Sequence, residues 1–157
     1  RELARACGEY LWANHWDGDR QVLARASIAT DDGIIVGANP VRSDYACAAL
    51  GFLSLAQTGD PVWMDPAVGL LERAVELFSA VDGLYERTAL HPGLFERPKR
   101  LGDEELPSAT SVMEVALRLA AKLTGRSDLL TGADAAAWSQ LPTLVLAASL
   151  WRVKTHE

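Results

Sequence analysis

The sequence predicts an all-α fold, a partial alpha/alpha toroid built from helical hairpins with short β-hairpin insertions. Three observations carry that prediction. A mixed-charge loop beginning at Arg97 runs through Pro107-Ser108 into an amphipathic stretch that stops at Gly125. An earlier stretch from Ser43 to Thr58 mixes small and large apolar residues with a single charge, so it belongs inside on more than one flank. The two stretches match at an offset of 66 residues, Thr58-Gly59 falling on Thr124-Gly125 and Leu53 on Leu119. A unit made of an inner helix and an outer partner cannot bury both inner flanks alone. Such units stack beside their neighbours, and a curved stack makes a ring.

Composition sets the outer bounds. The 157 residues suffice for one domain with a core, and a hydrophobic share of 49% excludes a disordered chain. Net charge is −6 with no Lys/Arg block, which argues against nucleic acid and against an anionic membrane surface as partners. No apolar run is long enough to cross a bilayer, and no signal peptide opens the chain. Cys7 and Cys47 lack a CxxC spacing and read as two buried free thiols, which fits a cytoplasmic setting. The helical pattern begins at Arg1 without a cap, so residues 1–157 are expected to be a fragment of one toroid domain.

In chain order, residues 2–16 read as a helix, with Leu3, Ala6, Cys7, Tyr10 and Leu11 on one apolar face. Asn14-His15-Trp16-Asp17-Gly18 ends it with turn formers. Residues 22–28 and 34–36 are β-prone around the turn Asp31-Asp32-Gly33, giving a loop or small hairpin. Ser43 or Asp44 caps the first inner helix, and Gly59 supplies its left-handed stop. Its outer partner opens at Asp60-Pro61 or at Asp65-Pro66 and runs through Phe78. A short hairpin follows, one strand near Leu84 and the other at Leu94-Phe95-Glu96. Ser108 caps the second inner helix, with Val112, Val115, Ala116, Leu119 and Leu123 as its stripe. Further helices are expected over residues 127–137 and 144–153.

Candidate chemistry gathers at the openings of the two inner helices. Helix N-termini carry partial positive charge and unpaired N–H groups, which favour oxyanions. If both inner helices run the same way, Asp44, Tyr45, Ser108, Thr110 and Ser111 share one polar mouth. Asp44, Asp103 and Glu104 are then the candidate catalytic carboxylates. Arg97 and Lys99 are the candidate anion-binding cations, with Tyr45, Ser108, Thr110 and Ser111 as sugar-hydroxyl partners. Capping and a solvated loop are the structural alternatives for the same residues. His15, His91 and His156 lie far apart with no carboxylate spacing, so no metal site is expected. No P-loop or dinucleotide fingerprint is present, so no cofactor is expected. The five tryptophans read as core more than as sugar-stacking platforms.

Two ordered stretches resemble a known family. Arg97-Pro98-Lys99, Asp103, Pro107-Ser108, Ser111-Val112 and Leu123-Thr124-Gly125 resemble the RPK…D…PSGNS…LTG pattern of bacterial YyaL-like proteins and the animal spermatogenesis-associated thioredoxin-like proteins. Asp44-Tyr45-Ala46, Leu53, Thr58-Gly59-Asp60-Pro61 and Trp63 resemble the same family's DYA…TGD..W stretch. The resemblance covers roughly residues 40–125. It implies a six-hairpin glycosidase-like toroid, with a thioredoxin-like domain upstream in family members and absent here. Ala109-Thr110 stand where the family has Gly-Asn, which removes an amide from the site. The function so implied is carbohydrate binding or processing at the polar mouth, with glycosidase- or epimerase-like activity by fold analogy. The alternatives are a non-catalytic helical scaffold or protein-binding module, or an accessory domain of a redox protein. A groove lined by apolar residues instead of carboxylates would favour the protein-binding reading. Exposed inner flanks also predict a homodimer, or the remainder of a longer chain, as partner.

Overall fold

The computed structural model describes residues 1–80, 83–88, 93, 95–99, 103 and 106–132. The helices expected over 133–137 and 144–153, together with Glu104, His91, Leu94, Trp138, Trp151 and His156, lie outside the described residues. Helix α1 (Glu2–His15) leads to strands β1 (Trp16–Asp17), β2 (Val22–Leu23), β3 (Ala26–Thr30) and β4 (Gly33–Gly37). Helix α2 (Arg42–Gln57), a 3-10 turn at Pro61–Trp63 and helix α3 (Met64–Phe78) follow. Strands β5 (Ser79–Ala80) and β6 (Gly83–Leu84), helix α4 (Ala109–Thr124) and a 3-10 segment at Ser127–Gly132 complete the order.

The expected all-α toroid is corrected. The described residues form a small mixed α/β fold of four α-helices and three two-stranded antiparallel sheets, β1-β2, β3-β4 and β5-β6. The reason is local. The β-branched run at 34–36 meets Ser27-Ile28-Ala29 across a two-residue turn, and hairpins form wherever such runs lie a few residues apart. After α4 the chain enters a 3-10 segment at Ser127–Gly132, where the expected outer helix was to begin, and the described residues end there. The third hairpin is corrected as well: β6 pairs with Ser79-Ala80, and Phe95 is fully exposed.

The core is a layer of three helices. α2 and α3 run antiparallel, since Tyr45 near the start of α2 meets Phe78 at the end of α3 with ring centroids 5.7 Å apart. At the other end Phe52 packs on Trp63 at 4.6 Å. α4 lies beside α2 with its first turn at the same rim, where Arg42 reaches Thr110. Tyr45, Leu53, Leu70, Leu71, Phe78 and Leu117 are fully buried between these helices. Gly59 and Gly125 end α2 and α4 with positive φ, 97° and 74°, in the left-handed region that glycine enters without a Cβ penalty.

Two packing expectations change. On α1, Leu3 is 78% exposed and Tyr10 is exposed, whereas Gly8 and His15 are buried. Gly8 turns inward because it is small: a Cβ there would lie 2.9 Å from Leu55 Cδ1 and 3.3 Å from the Trp63 ring. Cys7 and Cys47 are free but exposed, not buried. Only one flank of α2 enters the core, through Tyr45, Ala49, Phe52 and Leu53, while Cys47, Gly51 and Ser54 stay exposed.

Candidate functional site

The shared rim exists, but it is knitted together internally. Asp44 is not the cap residue; it sits at the third helical position of α2, behind Val41 as N-cap. Its Oδ2 accepts from the Val41 N–H at 2.8 Å, satisfying a group outside the helix ladder. Ser108 caps α4 as expected, accepting from the Ser111 N–H at 3.1 Å. Asp103 joins the same cap. It accepts the Ser108 N–H at 2.8 Å and the Ser111 hydroxyl. A carboxylate there also faces the positive end of the α4 dipole.

The remaining rim residues divide by burial. Tyr45 is wholly buried; its ring lies on Phe78 and its hydroxyl accepts the Leu23 N–H at 2.9 Å. Burial pushes its phenol above the ordinary value, against the lowering effect of the Leu23 hydrogen bond. Thr110 is buried and accepts from the Arg42 guanidinium at 2.7 Å. Arg97 donates to the Arg87 and Phe78 carbonyls and lies 4.2 Å from the Tyr85 ring centroid. The Lys99 ammonium lies 4.7 Å from the same centroid. Asp44, Asp103, Ser108, Thr110 and Ser111 thus gather at one end of the helix layer, with Tyr45 turned into the core. Arg97 and Lys99 gather on Tyr85.

Two buried charges, Arg42 and Glu114, escaped the reading of the sequence. Arg42, 2% exposed, pairs with Glu86 Oε1 at 2.5 Å besides donating to Thr110, and its backbone N–H donates to the Glu86 carbonyl at 3.0 Å. Its Nε–H is buried and meets no acceptor. Glu114, equally buried, pairs with Arg118 at 3.3 Å. Arg42 sits directly before the Ser43-Asp44 signal, but nothing local announces a partner in the bend at Glu86.

A second concavity lies between α1 and α2. It holds about 680 Å³ and its walls are mostly apolar, with Leu11, Leu23, Phe52, Leu55, Gly8 and Gly51 among its lining. Cys7 and Cys47 line it, His15, Arg25 and Asp44 edge one part, and Arg1 and Thr58 another. A volume of this size lies within the usual range for binding cavities. His15 is fixed there by its Nδ1 on the Ala24 carbonyl at 2.9 Å and its Nε2 on the Ser27 hydroxyl at 3.0 Å. Tyr10 reaches the same hydroxyl at 3.0 Å, so this chain of polar groups anchors the β3-β4 hairpin to α1. Cys47 is exposed to this groove, but the walls keep part of its water away, and that partial desolvation, helped by the nearby Asp44 carboxylate, pushes the thiol up.

Among the described residues no group of three or more His, Cys, Asp and Glu is placed to hold a metal ion. Nor is any described helix long and apolar enough to cross a membrane. No protein-family model and no curated protein matches the chain.

Proposed function

We propose that the chain is a non-catalytic binding module that takes an amphipathic helix of a partner protein into the groove between α1 and α2. One observation carries this reading: α2 is apolar on both flanks, yet among the described residues only one flank is fully covered. A helix that is hydrophobic all round belongs between neighbours. The uncovered flank is stepped with small residues, Cys47, Ala48 and Gly51, which let a second helix approach closely. An apolar groove between two helices suits the helix-in-groove mode of recognition.

Gly51 supplies the test, because a Cβ there would meet no atom within 4 Å. Gly51→Leu therefore fills the groove and leaves the core alone. Titration with a model amphipathic Leu/Lys helical peptide, followed by tryptophan fluorescence, is expected to show saturable binding to the native chain. Gly51→Leu is expected to weaken it about tenfold or more, the loss of roughly one buried apolar anchor. Equal binding to both proteins, or none to the native chain, rejects the reading.

A second reading keeps the rim as a carbohydrate-binding mouth. What favours it is the unmatched Arg42 Nε–H at the joint openings of α2 and α4, with the Arg97 and Lys99 cations on Tyr85, the residue before Arg42's partner Glu86. It ranks second because the rim carboxylates already serve as caps. With the toroid replaced by a mixed fold, the analogy to glycosidases and epimerases supplies no reaction. Kinship with YyaL-like proteins and a cytoplasmic location belong to the same proposal. The paired left-handed stops Gly59 and Gly125 support the kinship by keeping the two motif helices in step.

A further inference from the structure

The hairpin β3-β4 stands out as an apolar element whose outer face meets no cover among the described residues. Ile28 and Ile35 are direct cross-strand partners, so both side chains share one face, and they are 66% and 63% exposed. Ser27, on the opposite face, is the residue tied to Tyr10 and His15. The sheet has two strands, so among the described residues each strand presents an outer edge with no neighbour. Native edges are guarded by proline, by lysine or by a bulge. Ala26–Thr30 holds none of these and no charge at all.

Charges do flank it, and they are placed unequally. Arg25 extends the ladder by one step, donating its N–H to the Ala38 carbonyl at 3.3 Å. Asp31 and Asp32 form the turn at the other end. All three are exposed. A parallel or in-line pairing of two such edges would put the acidic turns together. An antiparallel pairing centred on Ile28 does the reverse. It sets Ser27 against Ala29 of the second copy, Ala26 against Thr30, and Arg25 against Asp31, at both ends by symmetry.

We propose that the chain forms a two-fold dimer by antiparallel pairing of β3 with β3 of a second copy, closing a four-stranded sheet. The isoleucines then line up across it in one row, Ile35 and Ile28 of one protomer beside the same two residues of its partner. Adjacent β-branched side chains on one face stabilise such a sheet, as do opposite charges directly across from each other. The interface is isologous, so it closes at two copies and leaves no growing edge at β3.

Sedimentation equilibrium under reducing conditions tests this on the full chain. The native protein is expected to reach twice its 17.0 kDa as concentration rises. Ile28→Lys is expected to remain at the monomer mass with an unchanged far-ultraviolet circular dichroism spectrum. Arg25→Glu is expected to raise the dimer dissociation constant about threefold, and Arg25→Glu combined with Asp31→Lys to restore it. A native chain that is monomeric at every concentration overturns the proposal. So does a dimer that survives Ile28→Lys, which would place the contact elsewhere, for instance in the α1/α2 groove. Failure of the charge exchange to restore association overturns the antiparallel register.

Discussion

Glycines show how much depends on single positions. Gly8 and Gly69 both lie inside helices, where glycine costs about 0.5–1 kcal/mol relative to alanine. A Cβ on Gly69 meets nothing within 4 Å, whereas one on Gly8 presses on Leu55 and Trp63. Gly69→Ala is therefore expected to raise stability by about 0.5–1 kcal/mol, the helix-propensity gain alone. Gly8→Ala is expected to lower it by about 1–3 kcal/mol, because Leu55 and the packed Trp63 ring must shift to admit the methyl group. Urea denaturation of the two variants beside the native chain checks the opposite signs. Neither role was legible in the sequence. Gly8 lies outside the apolar face read from Leu3, Ala6, Cys7, Tyr10 and Leu11, and its value lies in what faces it. The Arg42–Glu86 pair is hidden for the same reason: its partners are far apart in sequence and follow no local period.

Elements were legible where a local signal sets them. The left-handed stops at Gly59 and Gly125, the Ser108 cap and the turn at Asp31-Asp32 all act through neighbours a few residues away, and each lies where the sequence puts it. The start of α2 moved because Asp44 caps through its third-position carboxylate and not as the first residue. Packing between elements was less legible, and Tyr45 shows why. Placed at a helix opening, it reads as a mouth residue; in the fold it bolts α2 to β2 through the Leu23 N–H. That bolt has a pH signature. Burial raises the Tyr45 phenol above its ordinary value near 10, so the folded chain holds the proton longer than the unfolded chain. Its contribution is complete below about pH 10 and is lost as pH climbs toward the raised folded value. Urea midpoints are expected to fall through that alkaline window in the native chain and to fall less steeply in Tyr45→Phe. The variant should also be about 1–2 kcal/mol less stable at neutral pH, since the buried Leu23 N–H loses its acceptor. An identical alkaline slope in the two proteins would remove Tyr45 as its source.

At the scale of the whole molecule, the repeat brought two helices side by side with their openings at one rim, but two units do not determine a ring. Closure depends on what each inner helix packs against next, and α2 meets α1 only along part of its outer flank. The groove that remains has an electrostatic mark of its own. Cys47 lies one helical turn after Asp44 on the same flank, and partial desolvation in the groove together with that carboxylate raises its thiol. A raised pKa leaves less thiolate at neutral pH, so alkylation of Cys47 by iodoacetamide is expected to be slow near pH 7 and to accelerate as pH rises. Asp44→Asn keeps an oxygen for the Val41 N–H but removes the charge, and is expected to speed Cys47 alkylation about two- to threefold at a fixed pH just below the thiol range. Peptide mapping by mass spectrometry separates Cys47 from Cys7. Bound helical peptide should then suppress labelling at both cysteines in the native chain, because both thiols line the same space. If Asp44→Asn leaves the Cys47 rate unchanged, the carboxylate does not face the groove and its only duty is to the helix.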